Sequence, residues 1–459
     1  MRGGFSSRMG FIIAAAGSAV GLGNVWKFPF EVANGGGGVF VFIYIIFCAI
    51  LGLPLIMTEI AIGRRNHLSG IAAFTSLGHK KWSFIPILSM VIVVLIYSFY
   101  NVVSGWTILY SVEIAKGNFE AGKNFGSFAS NFKISGWYSI LSMLITVFIV
   151  IKGVSSGIER YTKLLMPALF FLIFALVIYS ITLPGASEGL KFYLVPDLSK
   201  VTLKTIYSAM GQAFFSLSVG MGITVAYGSY LQSNANVAFM SIMVILADLS
   251  VALLSGLMVF SITYSQGLQD TAGGAGLIFT VLPGLFANFG DIGGRIIGLA
   301  FFLLLFFAAL TSTVALLESL VASVVDKYKM SRKKATYVCS IIVLAIGFLS
   351  VGANGASDTL THFVKYSYSD HYISFMDFIG NLASDTLVPI SALLIVIYAI
   401  FAWKMPNLIK ELSKGFPNFV SNSLGKFVIF ALKYICPVLI SCVIVITILQ
   451  IFFGIDILK

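Results

Sequence analysis

The chain has 459 residues, of which 58% are hydrophobic and only 10% charged, and its formal net charge is +11. A water-soluble domain carries about 25% charged residues to keep its surface hydrated. With a mean hydropathy of +0.98, this composition excludes a soluble globular protein, a disordered chain and a disulfide scaffold, and leaves a polytopic membrane protein. An outer-membrane barrel is excluded too, because its strands alternate and are short, whereas the apolar stretches here are continuous.

In chain order, apolar segments lie near 10–34, 39–62, 84–112, 136–152, 162–183, 206–230, 237–264, 293–325, 335–352, 375–403 and 427–453. At ~20–25 residues per helical span, they predict eleven transmembrane helices. The stretch 271–288 is apolar but short and broken by Gly and Pro, so it reads as a loop helix outside the span set. Counting from a cytoplasmic N-terminus, eighteen of the Lys and Arg residues fall on the inner side and ten on the outer side. That bias predicts the N-terminus inside and, with eleven spans, the C-terminus outside. The basic surplus therefore reports topology and not nucleic acid. Cys48, Cys339, Cys436 and Cys442 all sit in apolar stretches without paired spacing and read as packing residues. No secretory signal is evident.

Two spans are unsuited to a straight helix. The first reads GSAVGLGNVW from Gly17 to Trp26, and the sixth reads SLSVGMG from Ser216 to Gly222. Glycine costs a helix interior about 1 kcal/mol relative to alanine. Backbone groups freed in hydrocarbon cost several kcal/mol more unless they are satisfied. Two glycine-interrupted segments at matching places in two five-helix halves point to a transporter site formed by inverted repeats. Glycine-rich packing faces against neighbouring helices are the alternative reading.

The segment RMGFIIAAAGSAVGLGNVWKFPF (Arg8 to Phe30), followed by NGGGGVF, resembles the first-helix signature of the neurotransmitter:sodium symporter family. FYN (Phe99 to Asn101), GQAFFSLSVGMG (Gly211 to Gly222), FFAALTSTVA (Phe306 to Ala315) and MDF (Met376 to Phe378) resemble its third, sixth, eighth and tenth helices, in order. The likeness spans nearly the whole chain. It implies an all-α membrane fold like that of the bacterial eleven-helix amino-acid transporters. Residues 1–183 would form the first inverted repeat and 206–403 the second, with loop helix 271–288 inside it and 427–453 as helix eleven. The expected location is a bacterial cytoplasmic membrane. The expected partners are an amino acid, sodium and lipid, with no nucleic acid and no obligatory protein.

The same resemblance implies a site. The amides of Leu22 and Gly23 open a half-helix, and with the Tyr100 hydroxyl they would hold a substrate carboxylate; an oriented helix N-terminus stabilises an anion by ~0.3–2 kcal/mol. Outside the FYN context, Tyr100 would read as a packing aromatic. A first sodium would take the Ala19 carbonyl, Asn24, Ser216, Asp248 and the substrate carboxylate. A second would take carbonyls of Gly17, Val20 and Ala308 with the hydroxyls of Thr311 and Ser312, for which back-bonding within the helix is the alternative. Asp248 is an acid deep in a span, and such a residue marks a functional site by default. Chloride-requiring relatives carry Asn there, so the acid implies chloride independence. Its protonation in the substrate-free cycle would add proton counter-transport.

Ile96, Phe215, Ser218, Met221, Ser312 and Leu316 would line the side-chain pocket. None carries a charge, and the Met221 thioether yields readily and contacts rings well, so a large hydrophobic or aromatic amino acid such as tryptophan, tyrosine or leucine is expected. Lys27 and Asp377 match the family's outer ion-pair gate, although Lys lacks the two-pronged carboxylate contact of Arg. Phe215 and Tyr100 would form the apolar lid, and Arg2 with Asp326 the inner pair. The spacing of Gly157 and Pro167 resembles the family's device for unwinding the fifth helix, and it also fits ordinary helix-start punctuation.

Other signals fall away. GNFEAGKN (Gly117 to Asn124) lacks the Ser/Thr and the preceding strand of a phosphate loop, and GLGNVW lacks the third glycine of a dinucleotide motif. The four histidines show no metal spacing. Glu59 and Glu318 are embedded acids that read as pairing or helix-end groups. A channel would need a filter and an enzyme a nucleophile–base or metal constellation; neither is present in the sequence.

Overall fold

The computed structural model describes residues 4–268, 277–366 and 371–455. α1 (Arg8–Ala19) and α2 (Gly23–Asn34) form a pair bent by 51°. Nine long apolar helices follow among the described residues. They are α3 (Gly38–Asn66), α4 (Lys80–Ala115), α5 (Phe132–Ile151) and α6 (Val154–Ile181), then, after α7 (Leu203–Ser216) and α8 (Ile223–Gly228), α9 (Val237–Ser265), α10 (Asp291–Tyr328), α11 (Arg332–Gly352), α12 (Phe375–Ala402) and α13 (Ser423–Ile451). The bent pair brings the membrane-length helices to ten. The segment expected as a broken sixth span forms α7 and α8, separated by Leu217–Gly222, and neither piece is long enough to cross a membrane alone. The expected loop helix is present from residue 277 onward; residues 271–276 lie outside the described residues. A two-residue antiparallel pair, Val364–Lys365 with Tyr372–Ile373, is the β-structure present among the described residues.

Local sequence explains where the helices begin and break. Ser7 caps α1 by accepting the Gly10 N–H at 2.9 Å, Asn236 caps α9 through the Phe239 N–H, and Thr202 caps α7 through the Thr205 N–H. Short polar side chains at these positions satisfy orphan donors of the first turn. Between α7 and α8, Ser218, Gly220 and Gly222 all take positive φ (52°, 83° and 71°). Three left-handed residues so close together cannot continue a right-handed helix, which is why this span breaks.

α10 runs along α4 for most of its length, and α1 lies against α10 and α9. α8 crosses α3, and α7 packs on the start of α3. The two breaks therefore face one another inside the bundle, surrounded by α3, α4, α9 and α10.

At one rim, Arg64 at the end of α3 is fully buried against the short helix Met405–Ser413. Its Nε donates to Glu411 Oε1 at 2.9 Å and its Nη1 to the Ala235 carbonyl at 2.6 Å. Lys414 adds a second contact to Glu411 at 2.7 Å. Burial pushes the Glu411 carboxyl up, but the Lys414 hydrogen bond and the Arg64 charge outweigh it and hold it below the usual carboxylate range. Removing one member of a buried ion pair costs about 3–5 kcal/mol, because its partner is stranded. Glu411→Ala should therefore lower the thermal unfolding midpoint of the detergent-solubilised protein markedly at neutral pH. A carboxylate held low contributes fully above its unfolded value of about 4.3 and loses that contribution as pH falls through its lower folded value. The gap between wild type and variant should thus close in that acid window.

Candidate functional site

The break between α1 and α2 exposes backbone that neighbouring side chains satisfy. The Leu22 N–H donates to the Tyr100 hydroxyl at 2.9 Å, and the Gly21 N–H donates to Asn24 Oδ1 at 2.9 Å. Gly21 has no room for a side chain, since a Cβ there would sit 2.5 Å from Ser312 Oγ and 2.8 Å from the Tyr100 hydroxyl. Gly21, Leu22, Tyr100 and Ser312 are thus drawn to one point, where an oriented amide meets two hydroxyls.

Beside it lies a fully buried polar cluster. Asn24 Nδ2 donates to Asp248 Oδ1 at 2.7 Å and to Ser216 Oγ at 3.1 Å. Ser216 Oγ reaches both carboxylate oxygens of Asp248 at 2.9 Å. The Tyr44 hydroxyl donates to Asp248 Oδ2 at 3.2 Å and to Ser216 Oγ at 3.0 Å. The carboxylate is held by neutral donors from α2, α3 and α7. Such a cluster offers several hard oxygens and one negative charge, which is the donor chemistry a small alkali cation takes.

A second oxygen cluster joins α1 to α10. Thr311 Oγ1 lies 3.4 Å from the Val20 carbonyl, 3.0 Å from that of Ala308 and 3.2 Å from that of Phe307. Ser312 Oγ reaches the same Val20 carbonyl at 3.3 Å. Thr311 thus makes both the contact within its own helix and the one across to α1. Gly17 packs against it, where a Cβ would meet Thr311 Cβ at 3.3 Å.

Two cavities meet at this place. The inner one, about 30 Å³, is lined by Ala19, Gly23, Ile96, Tyr100, Phe215, Ser216, Ser218, Met221, Ser312 and Leu316, among others. All six expected side-chain pocket residues are in that wall. The outer one, about 460 Å³, holds Lys27, Glu31, Gln212, Asp377 and Asp385. Tyr100 and Phe215 border both cavities and separate them. The cavity therefore has an amide-and-hydroxyl end, an apolar end and a two-ring lid.

The profile of the sodium:neurotransmitter symporter family matches residues 2–121 and 125–453. The chain belongs to that family. It is 33% identical to the uncharacterised sodium-dependent transporter YhdH of Bacillus subtilis over 453 residues, 97% of both chains. It is 32% identical to a sodium-dependent transporter of Methanocaldococcus jannaschii over 434 residues, covering 90% of this chain and 84% of the relative. Among solved structures it is similar to MhsT, crystallised in complex with L-phenylalanine, with a TM-score of 0.87 and 35% identity over 97% of this chain and 99% of that one. The protein is thus a multi-pass, sodium-dependent membrane transporter and not an enzyme.

The ion pair expected between Lys27 and Asp377 is replaced by another. Lys27 and Asp377 share the outer cavity, but the ion pair that Lys27 makes is with Asp385 further along α12, at 3.7 Å. Its ammonium also lies 4.7 Å from the centre of the Phe215 ring. Asp377 is held to Ser374 at the start of its helix, taking its hydroxyl at 2.7 Å, whereas Asp385, about two turns further on, stands within reach of the Lys27 ammonium. Of the other expected pair, Arg2 lies outside the described residues. Asp326 accepts the Ser69 N–H at 2.7 Å, tying α10 to the loop after α3. Gly157 sits in a wide turn at the start of α6, where a Cβ would meet the Ile149 carbonyl at 2.2 Å, and Pro167 lies inside the same helix.

Tyr44 and Glu159 are not singled out by the sequence, whereas Glu59 reads there as a pairing or helix-end group and is one. Glu59 on α3 accepts the Gly220 N–H at 2.6 Å and the Thr224 hydroxyl, satisfying the α7–α8 break. Tyr44 is one aromatic in an apolar run, with nothing local to mark it. Glu159 on α6 takes the Ser6 N–H at 2.7 Å and a contact from Lys163 at 2.6 Å. The other embedded acid, Glu318, pairs with Arg332 and Tyr230.

A partly exposed pair is worth about 0.2–1 kcal/mol, so Asp385→Asn should slow transport by roughly 1.4- to fivefold. The charge-swapped double variant Lys27→Asp/Asp385→Lys should recover more uptake than Lys27→Asp/Asp377→Lys, measured in reconstituted vesicles.

Proposed function

We propose that this protein is a sodium-coupled symporter that imports hydrophobic or aromatic amino acids, independently of chloride, by alternating access. The observation that carries the reading is the meeting of two helix breaks at one cavity. That cavity has an amide and hydroxyl at one end, apolar walls at the other, and the Asp248 cluster beside it. The substrate carboxylate would take the Leu22 and Gly23 amides and the Tyr100 hydroxyl. The same carboxylate would complete a first sodium shell with the Ala19 carbonyl, Asn24, Ser216 and Asp248, so each solute supplies part of the other's site. A second sodium would sit among Gly17, Val20, Ala308, Thr311 and Ser312 and tie α1 to α10.

The arrangement would cycle as follows. Sodium favours the outward-open form, the substrate completes the site, and Phe215 and Tyr100 close over it with the outer pair. Release inward would follow loosening of α1 and of the wide turn at Gly157, with Pro167 preventing that helix from tightening. The bound phenylalanine of MhsT supports an aromatic substrate, and the uncharged pocket wall supports a neutral one. We assign eleven spans in two inverted five-helix halves, 1–183 and 206–403, counting α1 with α2 and α7 with α8 as one broken span each, and α13 as the eleventh. The N-terminus would face the cytoplasm and the C-terminus the outside of a bacterial cytoplasmic membrane.

Uptake driven by an imposed sodium gradient should persist when chloride is replaced by gluconate, and collapse of uptake would refute chloride independence. Asp248→Asn should lower that uptake at least roughly tenfold, the equivalent of 1.4 kcal/mol. Competition of labelled-tryptophan uptake by each of the twenty amino acids should rank large hydrophobic and aromatic side chains first. Preference for a small neutral amino acid, such as glycine, would instead identify a symporter of the same fold with a different substrate.

A further inference from the structure

The first turns of α13 carry two charges that no described neighbour answers: the Lys426 and Lys433 ammoniums make no ion pair, hydrogen bond or ring contact among the described residues. Residues 434–451 contain no acid, Lys, Arg or His, and at 1.5 Å per residue they cover about 27 Å, close to the ~30 Å hydrocarbon core. Lys433 therefore stands where hydrocarbon meets headgroups. The helix opens into a wide turn at Ala431–Ile435, which leaves the adjacent Lys433 and Tyr434 both exposed, on a face shared with Lys426 and Phe430. Val428, Leu432 and Cys436 form the buried side, where the Cys436 thiol lies 3.8 Å from the Ile50 carbonyl of α3. The Phe430 and Tyr434 rings lie 5.3 Å apart on the exposed side.

Other cations along the spans meet carboxylates, as Lys27 meets Asp385, Arg64 Glu411, Lys163 Glu159 and Arg332 Glu318. Lys426 lies two turns nearer the helix start than Lys433, about 10 Å away. Cα–Cβ bonds tilt towards that end, so the Lys433 chain leads towards Lys426 and the headgroup layer. On a lipid-facing surface at that depth, the available anions are phospholipid phosphates. We infer that this face binds an anionic phospholipid, with Lys433 on its phosphodiester, Lys426 on the outer part of the headgroup, and the acyl chains along the exposed ridge of Val438 and Val445. A zwitterionic headgroup carries its own cation beyond the phosphate, against Lys426, and the like charges repel. In the topology proposed above, the start of α13 lies in the cytoplasmic leaflet, whose anionic lipids attract basic segments.

The test is native mass spectrometry of the detergent-solubilised full chain, titrated with phosphatidylglycerol or phosphatidylcholine. Lys426→Gln/Lys433→Gln should weaken the first phosphatidylglycerol adduct by about thirtyfold and leave phosphatidylcholine unchanged. Lys433→Arg should keep the adduct. Lys333→Gln/Lys334→Gln, which removes the same charge from the exposed start of α11, should stay within about twofold of wild type. Should the double variant not fold, Lys426→Gln in the exposed first turn should still lose about fivefold. The proposal is overturned if wild type holds phosphatidylglycerol no more tightly than phosphatidylcholine, if removing both lysines of α13 changes nothing, or if the α11 control loses as much. A mass of two chains without lipid would give this face to a second copy and would overturn it as well.

Discussion

The architecture depends on satisfying the backbone of two helices that stop inside an apolar bundle. In hydrocarbon an unpaired amide or carbonyl costs several kcal/mol, so each break exists only because other helices supply partners. For the first break these are Tyr100 on Leu22, Asn24 on Gly21, and Thr311 with Ser312 on the Val20 carbonyl. For the second it is Glu59 on Gly220. The groups that stabilise the breaks are, in large part, the groups assigned to solute. Stability and recognition therefore draw on the same atoms, and a solute that binds must offer at least as good a partner as the side chain it displaces.

Charge is used sparingly for the same reason. Asp248, the acid of the buried cluster, is held by neutral donors, Asn24, Ser216 and Tyr44. A permanent cation there would neutralise the site and leave sodium nothing to answer. The buried arginines are kept elsewhere, with Arg64 on Glu411 and Arg332 on Glu318, where they fasten loops and helix ends.

Much of this was legible in the sequence, and the reasons are physical. Composition fixes the membrane class, and the glycine interruptions at Gly17 to Gly23 and Ser216 to Gly222 mark both breaks, because broken backbone needs small residues and leaves them in one short window. The pocket wall followed from ordered motifs once these were placed. What escaped was pairing between distant residues. Nothing near Tyr44 or Glu59 states which break it faces, since each acts across the bundle. Lys27 with Asp385 was missed because the MDF motif directs attention to Asp377, whereas the hydrogen bond from Ser374 that occupies Asp377 is a local cap visible only in three dimensions.

The residues immediately before α1 are doubly held. Phe5 sits edge-on to the rings of Phe11, Tyr227 and Tyr230, while Ser6 is bonded through its amide and hydroxyl to Glu159. Both anchors lie immediately before Arg8, with no slack between them and the helix they precede. Any tilt of α1 away from α6 and α8 must extract the ring and break the carboxylate contact together. Interfaces of this kind are bistable and do not deform by degrees, so the inner face should behave as a catch that is either seated or sprung, with few molecules caught half-way.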